Sequence, residues 1–246
     1  MSERRPAYLI FGAYGGIGSA LARRLARQGA ALVVSGRDPD RTERLADDLD
    51  AVGLPADATD FQAVLDVVKR AGDRMEGLDG VVNCVGSVLI KPAHLTRPEE
   101  WTEAVQKNLT TSFGIVRAAV QPMRSTGGSI VLVSTAAAAI GLPNHEAIAA
   151  VKGGVDALVR SAAATYGPSG IRVNAVAPGL VETPLTRRIT SNEKARESSR
   201  SMHALGRLGR PEDVAASIAW LLGDEASWVT GQTVGVDGGL GAVRSG

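Results

Sequence analysis

AYLIFGAYGGIG, running from Ala7 to Gly18, joins a short apolar run to a glycine-rich turn. Ala7 to Phe11 reads as a buried strand, and Gly16 to Gln28 as the helix that follows it. Between them Gly12, Gly16 and Gly18 stand in a G-x-x-x-G-x-G spacing. Such a turn lets backbone N–H groups at a helix N-terminus approach a pyrophosphate that side chains would block. Its place between a strand and a helix is the context that gives a glycine turn this meaning.

The pattern continues outward from that unit. Ala31 to Ser35 reads as a strand, and about Pro39 to Leu49 as a polar helix. Further strands are expected at Gly80 to Val85, Ser129 to Ser134, Arg172 to Ala177 and Thr233 to Val236, with helical patterns between them. Strands separated by helices make βαβ units and a parallel sheet. Continuous apolar runs such as IVLV, Ile130 to Val133, suit strands covered on both faces. The expected fold is α/β: one Rossmann-type doubly wound domain over residues 1–246 with a seven-stranded parallel sheet. Thr186 to Ser201, rich in Arg, Ser and Glu, reads as a mobile, partly helical lid within about 183–208.

Composition narrows the function. The chain has 246 residues, 44% of them hydrophobic, enough for one well-cored domain. Its 27 Lys and Arg nearly balance 26 Asp and Glu. That balance gives no electrostatic case for nucleic acid or an acidic membrane. A single cysteine, Cys84, excludes an internal disulfide framework and fits a reducing compartment. No apolar stretch approaches the ~20 residues of a membrane span, and the charged start at Met1 to Arg5 does not read as a secretory signal. A cytoplasmic protein with a small-molecule substrate and no bound metal is expected.

The end of the second strand reads VVSGRDPDR, Val33 to Arg41. A carboxylate there would hold the ribose 2′-hydroxyl of NAD; this chain offers Gly36 and then Arg37. A guanidinium pairs with a 2′-phosphate, so NADP is favoured over NAD. Asp38 lies one position late for the ribose and reads as the cap of the helix starting at Pro39.

At this point the chain resembles the short-chain dehydrogenase/reductase family along nearly its whole length. The matching pieces are GAYGGIG from Gly12, AD at Ala56–Asp57, NCVG from Asn83, KN at Lys107–Asn108 and VST from Val133. AVKGGV from Ala150, IRVNAVAPG from Ile171 and WVTGQTVGVDGG from Trp228 complete the set. The resemblance implies that Gly12, Tyr14, Gly16, Ile17 and Gly18 line the pyrophosphate and adenosine ribose. It implies adenine contacts at Asp57 and Ala58, and a nicotinamide ribose over Asn83 and Gly86. Pro178, Gly179 and Thr183 would cover the carboxamide. Lys152 would hydrogen-bond the nicotinamide ribose, and Asn108 would hold a water relaying protons to Lys152.

One family position departs from the pattern. The family's acid is a tyrosine four residues before the lysine, with a serine thirteen before that tyrosine. Here those positions are Ile148 and Thr135. Thr135 keeps a hydroxyl for a substrate oxygen. Ile148 has no proton to give. Tyr8 lies in the first strand and Tyr14 in the phosphate loop. Tyr166 is fourteen residues past Lys152, roughly 21 Å along a helix. His145 shares a helical face with Lys152, seven positions on, and is one candidate donor; Glu146 and Lys152 itself are others. Asn144 reads as the cap of that helix.

Three functions follow from the resemblance. The first is an NADP-dependent oxidoreductase acting on a small carbonyl, alcohol, imine or activated alkene with a non-standard proton donor. The second is a dinucleotide-binding sensor or assembly subunit without turnover. The third is a cyclase or isomerase that keeps the cofactor as structure. The last helix, Ala215 to Leu222, and the last strand resemble those that pack relatives into tetramers. Val214, Ile218, Leu221 and Leu222 form its apolar face.

Overall fold

In the computed structural model, which describes residues 5–243, seven strands form one all-parallel sheet. They are β1 (Ala7–Phe11), β2 (Ala31–Ser35), β3 (Val52–Gly53), β4 (Gly80–Asn83), β5 (Gly128–Val133), β6 (Ile171–Pro178) and β7 (Thr233–Val236), in the order β3-β2-β1-β4-β5-β6-β7. The helices are α1 (Gly16–Arg27), α2 (Pro39–Leu49), α3 (Phe61–Met75), α4 (Pro98–Val105), α5 (Thr111–Met123), α6 (Glu146–Tyr166), α7 (Arg187–Thr190), α8 (Glu193–Met202) and α9 (Pro211–Leu222). This is the expected doubly wound α/β fold. Met1 to Arg4 of the charged start lie outside the described residues.

Side-chain alternation along β1 divides the core in two. Tyr8 and Ile10 pack with α1, α2 and α9 through Leu21, Leu45 and Ile218. Leu9 and Phe11 pack with α3, α5 and α6 through Val64, Ile115 and Val155. A strand's two-residue period thus feeds both layers at once. The strand order reverses between β1 and β4, which leaves a crevice beyond their carboxyl ends. Phe11 pairs with Asn83 in that register, so Gly12 and Cys84 lie at the crevice mouth.

Several expectations need correction. The two-residue β3 is too short to leave a periodic signal. Asn144 does not cap α6. It sits at φ 64°, and its carbonyl accepts the Lys91 N–H at 2.7 Å, while His145 occupies the cap position without a side-chain capping bond. Asparagine tolerates the left-handed region, so the turn uses it for that instead. The apolar face of α9 is covered within the chain by α1 and the sheet: Val214, Ile218 and Leu221 have no exposed surface. It therefore gives no support to assembly. The expected lid is mostly helical, carrying α7 and α8.

Candidate active site

The site grows from the crevice. Gly12 adopts φ 71°, and a Cβ there would stand 2.8 Å from the Cys84 backbone carbon. β1 and β4 can approach this closely only with glycine at that position. A Cβ on Gly18 would run into the Gly12 carbonyl, and one on Gly16 would reach within 2.6 Å of the Thr183 Cγ2. The glycine turn is therefore tight on its sheet side and closed by Thr183 on the other. Gly16, Ile17 and Gly18 form the first turn of α1.

At the far end, Tyr14 bridges the glycine turn to the loop after β2. Its hydroxyl accepts the Asp38 N–H at 3.0 Å, and its ring lies on Gly36. The Arg41 guanidinium stacks 4.2 Å from the ring centroid. Asp38 caps α2 by accepting the Arg41 N–H at 3.1 Å, as its position suggested. Arg37 is exposed and lines a cavity of about 490 Å³ with Asp57, Thr59, Gln106 and Lys107. Two Thr59 bonds, backbone N–H first, hold the Asp57 carboxyl below its ordinary range, and the Arg37 and Lys107 charges add to this. Ala58 is buried beside it.

In the middle lies a buried polar chain. Gln106–Thr110 is π-helical, joining α4 to α5. Within it Asn108 is wholly buried. Its Oδ1 accepts the Ser87 N–H at 3.1 Å, and its Nδ2 donates to Ser87 Oγ and the Ala104 carbonyl, both at 2.9 Å. Its carbonyl accepts Ser112 Oγ at 2.7 Å. Asn83 donates to the same Ser112 Oγ at 3.1 Å and accepts the Val85 N–H. Ser87 and Ser112 escaped the sequence reading. Ser112 is four residues after Asn108, a helical spacing that could have pointed to it; Ser87 left no signal.

Lys152 projects from α6 into this region. Its Nζ donates to the Val133 carbonyl at 2.6 Å, and a Cβ on Gly86 would lie 3.6 Å from it. Burial pulls the ammonium down to about 8. Cys84, near enough to feel Lys152, is itself pushed up to about 12 by burial, so its thiol stays protonated. Thr135 Oγ1 makes only long bonds, at 3.5 Å to the Pro178 carbonyl and 3.4 Å from the Ala137 N–H. Ile148 is 5% exposed.

The other candidate donors are bonded elsewhere or exposed. His145 Nδ1 bonds the Pro143 carbonyl at 2.8 Å, and among the described residues no bond joins it to Thr135 or Lys152. Glu146 is exposed in the first turn of α6. Tyr8 is buried in β1, where desolvation raises its phenol. Beyond Thr135, the loop leaving β6 carries Pro178, Gly179 and Thr183, and Thr183 reaches back to Gly16. Among the described residues no cluster of ligating side chains could hold a metal ion, and no helix is long and apolar enough to cross a membrane.

Known proteins resemble this chain in sequence and fold. The sequence model of the family described as Enoyl-(Acyl carrier protein) reductase matches residues 12–241. The 3-oxoacyl-[acyl-carrier-protein] reductase FabG of Thermotoga maritima is 37% identical over 94% of this chain and 96% of its own length. The cis-4-hydroxycyclohexanecarboxylate dehydrogenase of Sinomonas cyclohexanicum is 39% identical over 96% of each. A solved short-chain type dehydrogenase/reductase from Mycobacterium ulcerans superposes with a TM-score of 0.92 at 33% identity, covering 100% of this chain and 93% of that one. With fold, motifs and relatives in agreement, the chain belongs to the short-chain dehydrogenase/reductase family of nicotinamide-dependent oxidoreductases.

Proposed function

We propose that this oxidoreductase is NADP-dependent and reduces or oxidises a small carbonyl, alcohol, imine or activated alkene, with Lys152 as its proton donor and acceptor. The observation that carries the reading is a buried lysine, drawn down to about 8, one turn from an apolar Ile148 where the family keeps its tyrosine. General acid catalysis works best with a group near the working pH, and the neighbouring Cys84 thiol is pushed away from that range by burial.

The residues present fit a dinucleotide. Gly12 and Gly18 stand where a Cβ would push the turn off the sheet, and Gly16 where one would strike Thr183, so the turn keeps its backbone close and bare of side chains. In this reading Gly12, Tyr14, Gly16, Ile17 and Gly18 hold the pyrophosphate and adenosine ribose. Asp57 and Ala58 border the adenine, and Arg37 takes the 2′-phosphate, since Asp38 is spent on capping α2. Asn83 and Gly86 floor the nicotinamide ribose, and Pro178, Gly179 and Thr183 cover the carboxamide. When bound, the nicotinamide supplies or accepts the hydride.

The chain's own residues do the rest. Val133 fixes one Lys152 N–H, which leaves the others for the ribose and the substrate heteroatom. Asn108 locks Ser87 and Gly86 against Lys152 and stands at the inner end of a proton path. Thr135, with its weakly held hydroxyl, bonds the substrate oxygen or nitrogen. His145 then orders the entry to α6 rather than giving the proton.

Assembly as a homotetramer in the cytoplasm accompanies this reading. Its support is the exposure of Phe113 on α5, Trp220 on α9 and Trp228, 98% exposed, before β7. A second reading, dinucleotide binding without turnover, draws on Ile148 alone. Following NADPH absorbance against small ketones, quinones and imines separates the two. Turnover that vanishes in Lys152→Met supports the first; tight NADPH binding with no turnover on any acceptor supports the second.

A further inference from the structure

His203 belongs to none of the family-matching segments, yet it is 2% exposed. It follows α8 directly. Its Nδ1 lies 2.6 Å from the Ser199 carbonyl oxygen, and its Nε2 lies 3.2 Å from the Leu180 backbone nitrogen. An amide N–H can only donate, so Nε2 is the acceptor. Nδ1 then carries the proton and donates to Ser199. Both bonds are met by one species alone, the neutral ring in its Nδ1–H tautomer.

Gly179 makes room for that ring, because a Cβ there would collide with Nε2. From Leu180 the loop runs on to Thr183, which touches Gly16 of the phosphate turn. A second tie between the same elements, Arg196 to Glu182 at 2.9 Å, is exposed and therefore weak. The imidazole is the buried side-chain tie between α8 and the loop that walls the crevice, a loop whose Leu180 and Glu182 also bond the Gly209 backbone.

We propose that His203 is a positioning residue: as a neutral imidazole it fastens α8 to the Gly179–Thr183 wall of the dinucleotide cleft, and its protonation releases that wall. The inference rests on the dinucleotide reading above. A proton on Nε2 would set one donor against another at Leu180, which costs a buried hydrogen bond. The released ring also has a place to go. It borders a cavity of about 700 Å³ lined by Arg207, Glu212, Asp213 and Asp237. The remaining charged groups on the elements packed here are Glu182 in the loop and Glu193, Lys194, Arg196, Glu197 and Arg200 on α8. The arginines pair off: Arg207 with Asp213, Arg200 with Glu197, and Arg196 with Glu182. Glu212 remains as a carboxylate to receive an imidazolium, with Asp237 beside it already accepting the Gly239 and Gly241 N–H groups.

The test titrates NADPH by fluorescence into wild type, His203→Gln and His203→Leu at about pH 7.5 and about pH 5.5. Glutamine offers an acceptor and a donor without titrating. Wild type should bind about tenfold more weakly in acid, and His203→Gln should match it at the higher pH but lose less than about threefold. His203→Leu should bind about tenfold more weakly at both. The 15N spectrum of the wild-type ring should report the Nδ1–H tautomer, with a protonation midpoint that tracks the loss of affinity. The 2′-phosphate titrates alike with every variant, so it cancels in the comparison. A glutamine variant that weakens in acid in parallel with wild type overturns the inference, as does an Nε2–H tautomer. If wild type binds neither NADPH nor NADH at about pH 7.5, the dinucleotide reading falls and takes the inference with it.

Discussion

Ile148 stands one helical turn before Lys152 on the buried face of α6, and both side chains are almost wholly removed from solvent. The isoleucine gives the lysine an apolar neighbour where a phenol would share its proton. Introducing that phenol is the most direct probe. Ile148→Tyr should raise ketone reduction by about a hundredfold, the lower range of what a positioned acid contributes. NADPH consumption with a small ketone measures it, beside a thermal melt to record the cost of the larger ring. No gain in a folded variant would mean that the hydroxyl does not meet the substrate.

Lys152 should leave its mark on the pH profile. As proton donor it is active when charged, so the reduction rate should fall as pH rises through about 8. The oxidation rate should rise over the same window. Profiles flat across that range would remove Lys152 from proton transfer.

The same group bears on stability. Its folded-state value, about 8, lies below the ~10.4 of an unfolded lysine, so the unfolded chain holds the proton more tightly between those values. Stability should therefore rise with pH across that window. Below it the full penalty applies, on the order of 3 kcal/mol. Lys152→Met removes that penalty and loses one bond to Val133 worth about 1 kcal/mol, so the variant should melt higher at neutral pH while losing turnover. A lower melting temperature would count against burial as the cause.

Much of this was legible beforehand, and the reason is particular. β1 and β2 begin and end where the apolar runs do, because strands buried on both faces need unbroken apolar sequence. Asp38 announced itself as a cap by standing just before Pro39. What escaped was set by tertiary neighbours. Nothing local distinguishes Asn144 as a turn residue from Asn144 as a cap. The burial of His203 is created by Gly179, twenty-four positions earlier. The π-helical turn also left no trace, since Gln106–Thr110 has ordinary helix-forming composition.

Cofactor preference should turn on Arg37. Arg37→Asp should weaken NADPH binding by about a hundredfold and leave NADH unchanged or tighter, measured by isothermal titration. Equal losses for both dinucleotides would place the 2′-phosphate elsewhere.

Arg172 is a separate matter of stability. Its guanidinium donates to the carbonyls of Leu221, Leu222 and Gly223 at 2.8–3.3 Å, closing the C-terminal end of α9. Arg172→Met should cost about 2–3 kcal/mol in chemical denaturation, as Leu222 loses this donor while Leu221 keeps Ser129 Oγ and Gly223 keeps the Ala226 N–H. A loss under half of that would show that solvent replaces the arginine.

The π-helical turn makes the site sensitive to chain length as well as to composition. A π turn holds one residue more than the α turn it replaces. Removing one residue from Gln106–Thr110 would let α4 and α5 fuse into a regular helix, an outcome backbone energetics favours. That repair would rotate everything upstream by about 100° relative to α5. Asn108 would no longer reach both Ser87 and Ser112. A one-residue deletion here would thus leave a helix that looks healthier by circular dichroism and a cleft whose two halves have fallen out of phase.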